Sequence, residues 1–309
     1  MKVVNSLTKI IPYIPTLKQG EYNNIFSFVL IGGGSYQTKQ FNKVNIKKDD
    51  NFYRKFDYET EFPNINFQKR LSKISTTFSF DRPTDLLNNN IYSNDTNKYI
   101  YIASLKDITI KKNAKFILDL LNYHKVIPPY VFVVFSEGGF DVLCFQKYYP
   151  ELVKQIFYID TPILEKSWYE YEEFRGGRND PNQGLGFYKR LSKKQFSWDY
   201  SKYKNLDINN ISMKELETID LYNFEIKTYN VIMKLKISDF SKSINMFILW
   251  SPYYISPIKK CKEKINILEK FSKKLNKYKN IKTMFINAPH QMEVVIPKTL
   301  SNYIITNTV

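Results

Sequence analysis

The stretch that most constrains this chain is Tyr-Val-Phe-Val-Val-Phe at 130–135, which runs straight into Ser136-Glu137-Gly138-Gly139. Six apolar residues in succession, with no polar alternation, fit a strand covered on both faces. Such strands belong to parallel sheets sandwiched between helices. The segment from about Glu137 to Tyr148 then reads as a helix that Pro150 stops. The passage from strand to helix is therefore abrupt. A serine at that point has two readings. It can cap the helix, where Ser is a favoured residue. Alternatively, it can stand clear of the carboxyl edge of the sheet as a nucleophile. In that case the sharp turn crowds its neighbours, Gly138 and Gly139 leave the space behind it, and the start of the helix aims backbone N–H groups at a developing oxyanion.

The rest of the chain alternates in the same way. "IFSFVLIGGGS" (25–35) and "ISTTFSFDRP" (74–83) read as buried strands. A helix over 107–125 places Ala114, Ile117, Leu118 and Leu121 at helical spacing, and Pro128-Pro129 ends that segment. Further strands are expected over 153–160, 244–250 and 282–289, with a helix over 259–278 and a closing helix after His290. This order predicts an α/β protein with a doubly wound, mostly parallel sheet and helices on both faces. Residues 162–241 have a different texture, aromatic, charged and irregular, with helices near 213–219 and 221–236. They read as an inserted, largely helical cap, dividing the core into 1–161 and 242–309.

Composition removes several classes. The chain has 309 residues and a net charge of +16. The charge is dispersed, and Lys, Asn, Ile, Tyr and Phe are all abundant while Ala and Gly are scarce. It is read as a solvated surface, so no nucleic-acid partner is expected. Cys144 and Cys261 lie far apart without metal-type spacing, which argues against a disulfide framework and for a reducing compartment. With only His124 and His290, a His-rich metal site is not expected. The first twenty residues are broken by Pro12 and Pro15 and lack the apolar region of a signal peptide. No apolar run reaches the roughly 20 residues that span a bilayer. The expectation is a soluble, cytoplasmic protein acting on a small molecule, with its oligomeric state left open.

Four segments together resemble the α/β-hydrolase fold superfamily, in its serine hydrolase branch with a cap. "YVFVVFSEGGFDVLCFQKYYPELVKQIFYID" (130–160) is similar to the nucleophile elbow, its helix and the next strand. "VLIGGGS" (29–35) resembles the oxyanion loop, "FSFDRP" (78–83) the strand before the elbow unit, and "INAPHQMEVVIP" (286–297) the C-terminal histidine loop. The resemblance covers most of the chain outside the insertion. It implies a Ser–acid–His triad for acyl transfer, with Ser136 as nucleophile and His290 as general base. It places the oxyanion donors on the backbone N–H of Glu137 and of Gly33, with Gly34 as the alternative. Trp168 and Phe174, among the cap's aromatics, are candidates to line an apolar substrate pocket. Acyl transfer of this kind needs no metal or organic cofactor. His124, at the end of a helix, is expected to be a surface or capping residue.

Three departures from the family pattern stand out. Val134 occupies the position two before the serine, where the family has glycine, and a β-branched side chain there is expected to crowd the turn. The oxyanion loop opens with Ile31-Gly32 instead of His-Gly. The strand at 244–250 is not followed by the usual acid, and no carboxylate appears before Glu263. Asp160, at the end of the preceding strand, is a substitute found in some members. Another carboxylate, or none, are the alternatives. The functions that follow are a serine hydrolase cleaving an ester, less readily an amide, of a small or medium apolar substrate, or a catalytically silent fold used for binding.

Overall fold

A computed structural model of the protein describes residues 2–4, 11–12, 14, 16–20, 25–33, 41, 66–82, 100–102, 110–136, 138–161, 242–253 and 262–308. The segment read as a cap, 162–241, lies outside these residues, and with it Trp168 and Phe174; Gly34 and Glu137 lie outside them too. The described strands are β1 (Lys2–Val4), β2 (Thr16–Gln19), β3 (Ser27–Ile31), β4 (Thr77–Phe80), β5 (Ile100–Ile102), β6 (Tyr130–Phe135), β7 (Val153–Ile159), β8 (Asn245–Trp250) and β9 (Ile281–Phe285). Seven of them form one sheet in the order β2-β4-β3-β6-β7-β8-β9, and β1 pairs with β5. Within the large sheet only β2 runs antiparallel to its neighbour.

The apolar run at 130–135 is the centre of this sheet, and its alternate residues feed two separate cores. Tyr130, Phe132 and Val134 join one cluster with Phe116, Ile117, Leu120 and Leu121 of α2 (Ile110–Tyr123). Val142, Leu143 and Phe145 of α3 (Gly138–Tyr148) and Leu268, Phe271 and Leu275 of α4 (Lys262–Leu275) complete it. Val131, Val133 and Phe135 join the other cluster with Phe67 and Leu71 of α1 (Phe67–Leu71). Met292 of α5 (Met292–Val295) and Leu300 and Ile304 of α6 (Pro297–Asn307) cover that face. Helices thus lie on both faces, as the unbroken apolar run requires. Each fully buried Val or Phe of β6 contributes roughly 1.5–3 kcal/mol relative to exposure. That burial keeps the strand central and its carboxyl end fixed.

One buried polar cluster ties the layers together. Asp141 of α3 accepts from Arg82 Nε, just after β4, and from Asn113 Nδ2 of α2, both at 2.6 Å. The carboxylate is thereby paired and hydrogen-bonded, the condition for keeping a charge inside a core.

Several elements differ from the sequence expectation, among them the short strands β1 and β5 and the helix α1, none of which was expected. β2 was not expected, because Thr-Leu-Lys-Gln is short, half-exposed and follows Pro15; as an edge strand it needs no apolar run. The single closing helix is two helices, α5 and α6, broken at Ile296 (φ −129°, ψ 52°). Pro297 supplies no N–H and would clash with the carbonyl four residues earlier, so it starts a new helix instead of continuing the old one.

Candidate active site

Ser136 follows the last residue of β6 with φ +48°, in the left-handed region. For a residue with a Cβ this conformation costs about 1–2 kcal/mol. The adjacent strand and the following helix hold it there: its N–H donates to the Ile159 carbonyl of β7 at 3.1 Å, and its own carbonyl accepts from Gly139 N–H of α3 at 3.1 Å. The side chain is half-buried at the carboxyl edge. Val134 does not prevent this turn. It is fully buried and points into the α2–α3–α4 cluster, so its bulk is absorbed by that core.

The glycines behind the serine are required by close approach. A Cβ on Gly138 would lie 2.3 Å from the Gly32 carbonyl oxygen, and one on Gly139 would lie 2.8 Å from Thr161 Cγ2. The first turn of α3 is therefore wedged between the loop leaving β3 and the loop leaving β7. Gly33, buried, follows directly on Gly32 in that first loop.

Asp160 follows the last residue of β7 with φ +43°, also left-handed, and its N–H donates to the Leu249 carbonyl at 2.7 Å. The turn directs its carboxylate inward. Oδ2 lies 2.6 Å from His290 Nδ1, Oδ1 accepts the Ser251 N–H at 2.9 Å, and Lys264 Nζ lies 3.1 Å from Oδ1 and 3.3 Å from Oδ2. Burial pushes this carboxyl upward, but the Lys264 ammonium, the His290 hydrogen bond and the Ser251 amide outweigh it and hold the group at about 2. An ionised carboxylate only accepts hydrogen bonds, so the proton in this contact lies on His290 Nδ1.

His290 sits in the loop after β9, its side chain 12% exposed. Two residues brace that loop. Ser251 Oγ donates to the Ala288 carbonyl at 2.7 Å, and Tyr253 OH donates to Asn287 Oδ1 at 2.9 Å. Ser251 stands where the family pattern has its acid. Its amide steadies Asp160 and its hydroxyl steadies the histidine loop. The residue at that position thus binds the Asp160 carboxylate from the neighbouring strand.

Sequence reasoning missed Lys264, Ser251 and Tyr253. Lys264 had a readable signal. It lies four residues before Leu268, on the same stripe as Leu268, Phe271 and Leu275 of α4, and a lysine on the buried stripe of a helix needs a partner. Nothing in the sequence marks Ser251 or Tyr253. His124, half-buried, directly follows α2, and its ring lies 5.2 Å from that of Phe78, where Nε2 is buried without a hydrogen-bond partner. Burial, with a smaller effect of Lys18, pushes its pKa down. Cys144, on the buried face of α3, is sealed in the core, and burial pushes its thiol far up, so it is no rival nucleophile. Among the described residues, no helix is long and apolar enough to cross a membrane.

Strand order, elbow and histidine loop define the α/β-hydrolase fold, and the chain adopts it. Solved structures agree. A hydrolase from Oleispira antarctica superposes with a TM-score of 0.50 at 12% identity, over 99% of this chain and 100% of that one. A probable hydrolytic enzyme from Pseudomonas aeruginosa PAO1 gives 0.50 at 10% identity, over 95% of this chain and 88% of that one. AqDC, which recognises and ring-cleaves the Pseudomonas quinolone signal, gives 0.52 at 12% identity, over 95% of each chain. No protein-family model matches the sequence, and no curated sequence matches it. At these identities the likeness establishes the fold, and one fold hosts many chemistries.

Proposed function

We propose that the protein is a serine hydrolase that cleaves an ester, less readily an amide, of a small or medium apolar substrate through an acyl-enzyme. The observation that carries this reading is the 2.6 Å contact between His290 Nδ1 and the buried Asp160 carboxylate. It favours the tautomer in which Nε2 accepts a proton. The strained, half-buried Ser136 at the end of β6 supports the nucleophile's role, because strain of this kind persists where the surrounding structure over-determines it.

In this reading Ser136 Oγ attacks the carbonyl carbon while His290 Nε2 takes its proton, without which the hydroxyl is a weak nucleophile. Asp160 stabilises the imidazolium that forms. Backbone N–H groups of Gly33 and Glu137 receive the oxyanion, a contribution of about 3–4 kcal/mol for one such donor in a well-formed site. His290 returns the proton to the departing alcohol. Water then attacks the acyl-enzyme by the same route and releases the acid. The aromatic cap residues, Trp168 and Phe174 among them, are the proposed lining for an apolar acyl group.

A fluorophosphonate probe tests this directly. Wild type is expected to label at Ser136, with labelling lost in Ser136→Ala and strongly slowed in His290→Ala. A folded wild type that resists the probe as fully as Ser136→Ala overturns the hydrolase reading and leaves the catalytically silent, binding reading.

A further inference from the structure

We propose that Lys264 is a positioning residue of the triad, its ammonium locking the Asp160 carboxylate toward His290 and its charge keeping the imidazole neutral, and so able to accept a proton, at lower pH. This rests on the reading of Ser136, Asp160 and His290 as a triad, and adds a fourth, buried member.

The geometry is that of a built ion pair. The Lys264 and Asp160 side chains are 4% and 2% exposed. Lys264 Nζ reaches both carboxylate oxygens and also donates to the Tyr253 carbonyl at 2.9 Å. Carboxylate and carbonyl are both acceptors, so the amine faces them as an ammonium with its protons in use. Asp160 then has little rotational freedom: Oδ1 is held by Lys264 and the Ser251 amide, and Oδ2 is presented to His290.

The charge has a second consequence. A buried carboxylate with histidine as its sole partner stabilises the imidazolium and raises the histidine's pKa. A general base must be deprotonated to act. A lysine paired with the same carboxylate offsets this, since it already balances the negative charge and repels a second cation. The groups around the pair can be named. Asp160 comes from the end of β7, Lys264 from α4 and His290 from the loop after β9. Tyr253 presents its backbone carbonyl to the pair while its hydroxyl turns to Asn287. Glu293 is the buried carboxyl of α5, three residues beyond His290.

The chain makes the test clean because it has only 2 histidines. NMR titration of both imidazoles is followed in wild type, Lys264→Met and Lys264→Arg. In Lys264→Met the His290 pKa is expected to rise by about one unit or more, while Lys264→Arg stays close to wild type. His124, packed on Phe78, serves as the internal reference and does not move. The acid limb of kcat/KM moves up with His290. A folded Lys264→Met with an unchanged His290 titration overturns the proposal and makes Lys264 an anchor for α4 alone. Should Lys264→Met fail to fold, Asp160→Asn is compared with Asp160→Asn/Lys264→Met. A higher His290 pKa in the double variant supports the proposal, and equal values overturn it. The titration needs no turnover, so resistance to the fluorophosphonate probe bears on Ser136 and not on this proposal.

Discussion

Ser136 and Asp160 close adjacent parallel strands in the same left-handed backbone conformation, with φ of +48° and +43°. They follow Phe135 and Ile159, which are partners in register. Each turn is held by the next strand's carbonyl, Ile159 for Ser136 and Leu249 for Asp160. Two side chains that lie on neighbouring strands are thereby turned out of the sheet at one edge.

The strain at Ser136 is measurable. Ser136→Gly removes the Cβ that makes the left-handed turn unfavourable, whereas Ser136→Ala keeps it. Urea denaturation is expected to find the glycine variant more stable than the alanine variant by about 1 kcal/mol, partly offset by glycine's greater unfolded-state freedom. Neither variant labels with the fluorophosphonate. Equal stability of the two would mean that the turn stores no strain.

The buried acid gives stability a pH dependence of known sign. The Asp160 carboxyl is held at about 2 in the folded protein, below its ordinary 3.8. Its contribution is therefore fully present above about pH 4 and is lost as pH falls toward 2, a change of about 2–3 kcal/mol. Asp160→Asn should remove that part of the acid dependence. It should also destabilise the neutral-pH protein by about 3–5 kcal/mol, because the buried Lys264 ammonium loses its partner. Denaturant melts of both proteins from pH 2 to pH 7 check this, the expected result being two curves that converge at the acid end.

The two glycines behind the serine should differ in tolerance. A Cβ on Gly138 meets backbone, the Gly32 oxygen at 2.3 Å and the Ile31 oxygen at 2.8 Å. A Cβ on Gly139 meets the side chain of Thr161 at 2.8 Å and beyond. Gly138→Ala is expected to cost about 3 kcal/mol or more and to slow probe labelling, since it pushes the Gly32-Gly33 loop away from the elbow. Gly139→Ala is expected at about 1–2 kcal/mol with labelling retained. Thermal melts alongside labelling rates distinguish them, and a Gly138→Ala protein with wild-type stability would refute the wedge.

Much of the fold was legible because burial leaves a pattern. The run at 130–135 announces a strand covered on both faces, and Ala114, Ile117 and Leu121 are buried on α2 as their spacing predicts. β2 was illegible because an edge strand is stabilised by a single neighbour and carries no apolar run. Of the candidate site residues, the structure brings Asp160 and His290 into contact and gives Ser136 its left-handed turn. Val134 was read as an obstacle because sequence shows which residue precedes a turn and not where its side chain goes. In the fold it points into a core that accommodates it.

What the sequence by itself determined is therefore the parallel strands of the large sheet, the sharp turn at Ser136 and the position of a histidine after the last strand. These depend on local properties: apolar periodicity, glycine's small size and proline's geometry. Only the tertiary structure decided which carboxylate meets His290, and that the meeting is braced by Lys264, Ser251 and Tyr253. Asp160 and His290 are 130 residues apart in sequence, and Lys264 is 104 from Asp160. No local pattern encodes such a pairing, because it exists only once parallel strands align their carboxyl ends. Burial then makes each charge depend on a partner that the chain delivers from elsewhere.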